Sequence, residues 1–133
     1  MNPYAAYRKQ SVETLTSIEI VIKGYDECER QLCRAVNFIK NKELAEAHYA
    51  LDKAAELVTA FRTALDMSVG EISKNLDSLY DYFFMQIITA NMKKDASIIE
   101  ELLPQIVELR DAFFQISLMP KGQMMAVNAG MAG

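Results

Sequence analysis

His48 is the chain's single histidine, and Cys28 and Cys33 are its only cysteines. Imidazoles and thiolates are the usual proton carriers, nucleophiles and metal ligands, so these positions are the first to test for chemistry. A helical histidine can carry a phosphoryl group if it is exposed and a lysine one turn on balances the charge. Here Tyr49, Ala50, Leu51 and Asp52 follow, and His48 lies beside the inward-facing Ala47 and Leu51. A partly buried structural histidine is the commoner state, and histidine phosphotransfer ranks far below it. A di-iron bundle needs Glu-x-x-His pairs on two helices, whereas one histidine is present and Ala45 stands three residues before it. Cys28 and Cys33 point about 140° apart on a helix, cannot bridge, and read as buried free thiols. Glu100 with Glu101, and Asp77 with Asp81, read as solvated faces. No Gly-rich phosphate loop, Cys-x-x-Cys pair or Ser-His-Asp set occurs. No catalytic, cofactor-binding or metal-binding residue is assigned, and the chain is not read as an enzyme.

What remains is surface, and composition says what kind. The 133 residues make one domain, 51% hydrophobic and 24% charged, which is an ordinary globular mixture. Few Gly and Pro beside abundant Ala, Leu, Glu, Lys and Met favour helices. The net charge of −4, with no Lys/Arg run longer than two, argues against a nucleic-acid surface. No apolar run has signal-peptide or membrane-spanning length, so the expectation is a cytoplasmic protein without membrane insertion.

Four apolar stripes at helical spacing follow one another. The first helix opens at Thr16 or Ser17 and runs to about Lys40, with Ile18, Val21, Ile22, Tyr25, Cys28, Leu32, Ala35, Val36 and Ile39 inward. Gly24 inside it marks either a close helix crossing or a tolerated flaw. Asn41 and Lys42 turn the chain, and the second helix buries Leu44, Ala47, Leu51, Ala54, Ala55, Val58, Phe61 and Leu65, ending near Asp66. Gly70 supplies a turn conformation that other residues resist. The third helix ends near Met92, and Asp95 caps a fourth whose inner face carries Ile99, Leu102, Ile106, Leu109, Phe113 and Ile116. Unbroken apolar phase across Pro104 favours a kinked helix over one that begins late. Short links make this an all-α, antiparallel four-helix bundle. Residues 1–116 form the single domain, with 1–15 as an N-terminal arm bearing Tyr4 and Tyr7. Residues 117–133 form a flexible Met-rich C-terminal tail.

The third helix carries a surplus. Leu76, Leu79, Phe83, Ile87 and Ala90 suffice for a core stripe, yet Tyr80 and Phe84 widen it and Tyr82, Met85 and Met92 continue round the back. Only Asp81, Gln86, Thr89 and Asn91 interrupt it. Such a helix must be covered on several sides, by its own chain or by a partner. Tyr80 and Tyr82 point about 160° apart, so at most one of them meets a partner.

Met1-Asn2-Pro3-Tyr4-Ala5-Ala6-Tyr7, Leu65-Asp66-Met67, Gly70-Glu71-Ile72, the run Asn75-Leu76-Asp77-Ser78-Leu79-Tyr80-Asp81-Tyr82 and Ala90-Asn91-Met92-Lys93-Lys94-Asp95 occur in that order. With Tyr25-Asp26 and Leu109-Arg110-Asp111-Ala112-Phe113, this set closely resembles the FliS family of flagellin export chaperones over residues 1 to about 116. The resemblance implies a cytoplasmic chaperone that binds the C-terminal segment of flagellin, prevents premature polymerisation and assists delivery to the export gate of the flagellar type III secretion apparatus. It implies no cofactor. Tyr4 and Tyr7 would be the lid of a client groove, and Asn75, Leu79, Tyr80, Tyr82 and Met85 its client-binding residues. A self-associating helical module, forming a homodimer through the same surface when client-free, is the alternative. The chain departs from the family at Thr16-Ser17-Ile18, where Ser-Pro-Glu is usual, at Lys23-Gly24, at Pro104 and in the tail.

Overall fold

The computed structural model describes residues 17–118, so the expected arm and nearly all of the expected tail lie outside the described residues. Within them the apolar periodicity resolves into α1 (Ser17–Lys40), α2 (Leu44–Thr63), a single 3-10 turn (Met67–Val69), α3 (Glu71–Lys93) and α4 (Ala96–Ser117). The ends are set by local chemistry. Lys42 adopts a left-handed conformation at φ 60°, which lets its N–H reach the Ile39 carbonyl and the Glu43 N–H reach that of Phe38 at 2.8 Å. Asp66 caps the 3-10 turn by accepting from the Ser68 N–H at 3.0 Å. Asp95 caps α4 likewise, accepting from Ser97 N–H at 2.9 Å. Gly70 stands at φ 99°, the region expected of it, where a side chain is strained.

α1 packs against α2 and α4, and α3 against α2, while the α3–α4 seam is the thinnest of the four. The ties across the seams show the alternation of direction. On α1 and α4, Asp26 pairs with Arg110 and Lys40 with Glu100; on α2 and α3, Arg62 meets Asp77 while His48 meets Asn91. The partner number falls on one helix as it rises on the other, as in an antiparallel four-helix bundle. The core is an unbroken apolar cluster that includes Ile18, Leu32, Leu51, Val58, Ile87 and Ile106.

Gly24 marks a close crossing. A Cβ there would stand 2.6 Å from the Phe61 ring, so α1 and α2 approach through the missing side chain. Pro104 lies inside α4, which nevertheless begins at Ala96, so the late-starting helix is ruled out.

Several inward assignments need correcting. Leu44, the first residue of α2, is 47% exposed. Cys33 is exposed and only Cys28 is a buried thiol. Leu76, Leu79, Leu109 and Ile116 do pack against the core as expected but are only half-buried, as are Ile22 and Ile39 of α1. α2 stops at Thr63, three residues early, since Asp66 is taken by the 3-10 turn. Asp77 and Asp81 are not merely solvated but grip Arg62. Asn91, expected among the exposed polar breaks, is 9% exposed.

Candidate functional site

The residues singled out on α3 separate into three positions. Tyr80 lies in the core with no exposed surface, which corrects its assignment to an outward client-binding face. Its hydroxyl meets that of Tyr25 on α1 at 2.5 Å, and its ring lies 5.7 Å from Phe61. Burial pushes the Tyr80 phenol up to about 12, against a lowering by the Tyr25 hydrogen bond, and holds Tyr25 higher still. Both are neutral packing groups with one shared hydrogen bond.

Tyr82, by contrast, is 42% exposed and accepts a long hydrogen bond from Gln105 Nε2 on α4 at 3.4 Å. Met85 is 52% exposed, and Asn75 is exposed. These three belong to one row: Asn75, Ser78, Tyr82, Met85, Thr89 and Met92 recur at alternating spacings of three and four along the outer face. Met92, 81% exposed, ends it. Sequence reasoning placed Met92 on the back of the helix but did not join it to Asn75, although the 3-4 spacing was there to be read.

Leu79 occupies a third position, at the mouth of a cleft of about 310 Å³ between α3 and α4, with Phe83, Gln105, Glu108, Leu109 and Ala112. Thin packing of the two helices thus leaves an apolar slot beside the exposed row. On the opposite flank of α3, Phe84 and Ile88 line a second groove of about 330 Å³ with Ala55 and Thr59 of α2, rimmed by Asp52 and Glu56. Arg62 lines a separate cavity of about 110 Å³ that shares Thr59 and Phe84 with this groove, and donates from Nε to Asp77 at 2.6 Å and from Nη1 to Asp81 at 3.0 Å.

His48 belongs to a different corner. Its Nδ1 lies 3.2 Å from Asn91 Oδ1, and Lys94, left-handed at φ 50°, donates to the Asn91 backbone carbonyl at 2.6 Å and to its side-chain oxygen. The three tie the start of α2 to the end of α3. Among the described residues no three metal-ligating side chains converge, and no helix is long and apolar enough to cross a membrane. Tyr4 and Tyr7 lie outside the described residues.

Among the described residues, α3 is a half-covered helix: an exposed row, a slot on one side and a groove on the other. Similar sequences occur among flagellar proteins. The family model for "Flagellar protein FliS" matches residues 1–120. The flagellar secretion chaperone FliS of Bacillus subtilis strain 168 is 29% identical over 114 residues, covering 86% of this chain and 85% of its own. That of Salmonella typhimurium strain LT2 is 30% identical over 118 residues, covering 84% and 87%. That of Vibrio cholerae serotype O1 is 29% identical over 119 residues, covering 84% and 85%.

Proposed function

This chain belongs to the FliS family of flagellar proteins, and on that premise we propose that it is a flagellar secretion chaperone. In this reading it holds the C-terminal segment of flagellin in the cytoplasm, prevents early polymerisation and assists delivery to the type III export gate. The observation that carries it is the exposed row on α3, running from Asn75 through Tyr82 and Met85 to Met92 beside the α3–α4 slot.

A row at 3-4 spacing suits the apolar seam of another helix. Tyr82 offers a broad ring with a polar tip, Met85 and Met92 adapt their shape to the ligand, and Leu79 lines the adjoining slot. A disordered segment that folds on this face loses much conformational entropy, so it must gain long apolar contact, which a row spanning five helical turns supplies. Tyr4 and Tyr7 are the proposed lid. An arm that covers the groove part of the time weakens apparent affinity by the closed fraction while shielding the empty face. Tyr80 takes no part in contact with the client and instead fixes the underside of α3.

Co-expression with flagellin, with and without its C-terminal segment, tests the reading. A complex lost on deleting that segment supports it, and equal capture of both forms refutes it. Tyr82→Asp should weaken capture while leaving thermal stability nearly unchanged, since the ring is half exposed; equal loss of folding would place Tyr82 in the core. Concentration-dependent dimerisation without client, abolished by the same substitution, would favour the self-associating module.

A further inference from the structure

On the far side of the bundle, the seam between α1 and α2 opens into a groove of about 350 Å³. Its α1 wall is Gln31, Arg34 and Phe38, and its α2 wall is Tyr49, Ala50 and Lys53. We infer that this seam is a second docking surface, which takes an acidic amphipathic helix from a partner protein.

Length is the first argument. Residues 31 to 38 and 46 to 53 each span two helical turns, about 10 Å, and run in opposite directions. The groove therefore lies parallel to both axes and accepts two turns of an added helix. Surface chemistry is the second. Tyr49 is 72% exposed, the most exposed aromatic ring in the described residues, and Phe38 is half-buried across from it. Rings and arginines of this kind anchor protein interfaces, and they stand over a floor made by the small, buried Ala50.

Charge selects the partner. Arg30, one turn away, is committed to Glu27 at 2.6 Å. Arg34 sits 5.5 Å over the Phe38 ring, and among the described residues neither it nor Lys53 has a carboxylate within ion-pair distance. One cation thus stands on each wall, against the single lining carboxylate Glu46. In a chain of net charge −4, these two cations stand outside any ion pair among the described residues, Lys53 feeling the Glu27 carboxylate only at longer range. Flanking an aromatic groove, they match a helix with apolar residues on one face and carboxylates at its margins. The α2–α3 groove, rimmed by Asp52 and Glu56, would repel that helix. The two grooves therefore sort different partners.

The probe is a fluorescein-labelled synthetic helix with Leu and Phe on one face and Glu at the margins, titrated into the full chain by anisotropy. The control peptide carries Lys for every Glu. The acidic peptide should bind about tenfold or more tightly than the control and weaken as salt rises. The double variant Arg34→Glu with Lys53→Glu should lose about tenfold or more of that affinity and reverse the preference. Both side chains are exposed, so the variant should keep its helical circular dichroism; if it does not, the milder Arg34→Gln with Lys53→Gln serves and should lose affinity in the same direction. Absence of binding, equal affinity for both peptides, affinity unchanged by either double variant, or affinity lost instead in Tyr82→Asp would each overturn the assignment. Flagellin capture should persist in both double variants, so this inference and the chaperone reading fail independently.

Discussion

Removing the Tyr25 hydroxyl, or the Tyr80 hydroxyl, should destabilise the bundle far more than removing both. The two oxygens lie 2.5 Å apart and both side chains have no exposed surface, so each hydroxyl that loses its partner is left buried. Tyr25→Phe keeps the ring against Phe61 at 4.5 Å and Phe113 at 5.6 Å, leaving the hydroxyl as the only change. The Tyr80 oxygen is then left buried without its partner, at a cost of about 1–3 kcal/mol. Tyr80→Phe leaves the Tyr25 oxygen in the same state at a similar cost. With both changed, no polar atom of the pair remains, and stability should return to within about 1 kcal/mol of the original. Urea unfolding measures this directly: each single variant should lower the midpoint at unchanged slope, and the double variant should recover it. Additive losses, or single variants without loss, would refute the reasoning, because they would mean that each hydroxyl is satisfied independently of the other.

Gly24→Ala gains about 1 kcal/mol of helix propensity, but its Cβ meets the Phe61 ring at 2.6 Å, where overpacking costs about 1–3 kcal/mol. A net loss of about 1 kcal/mol should appear in thermal melts, and a Phe61→Leu background should turn the same substitution stabilising relative to Gly24. Alkaline conditions should weaken the fold. Burial holds the Cys28 thiol and the Tyr80 phenol up to about 12, whereas the unfolded chain releases those protons near 9.0 and 10.0. The unfolded state therefore binds fewer protons between these values, and stability should be full below about pH 9 and fall as pH rises towards 12. Urea midpoints across that range check it, with the double Phe variant showing a shallower fall. Asp95→Ala should lower the melting temperature, whereas Asp95→Asn, which can still accept from the Ser97 N–H, should retain most of it.

Much of this fold is legible in the sequence because a bundle core repeats with the helix. Ile18, Val21, Tyr25, Cys28 and Leu32 are spaced three and four apart, and all are buried. Asp95 and Gly70 announce their roles through side-chain chemistry and backbone freedom. The errors have a common cause: periodicity gives the direction of a side chain, not what stands there. Leu79 and Leu109 point inward but meet a thin seam, and Leu44, at the first residue of α2, is left exposed. Asp77 and Asp81 become ion-pair partners only when α2 brings Arg62 beside them. Tyr80 and Tyr82 are alike as letters, and an amphipathic ring suits core or surface equally. Their separation by about 160° shows that they differ in role, but only the way α2 and α4 flank α3, which brings Tyr80 to Tyr25 across the core, says which is inside. The Asn91 tie is less legible still, since Lys94 is a neighbour in sequence but His48 comes from the start of another helix, 43 residues away.

The aromatic cluster at the centre has a kinetic consequence. Tyr25, Phe61, Tyr80 and Phe113 come one from each helix, and successive ring centres lie between 4.5 and 5.7 Å apart. No helix can swing out without tearing its ring from that cluster, so fraying at the ends stays local and does not spread inward. Loss of any one helix becomes loss of the whole, and opening through the centre is an all-or-none event. In the proposed reading, the outer row of α3 trades contacts with a visiting helix while the scaffold beneath it remains closed.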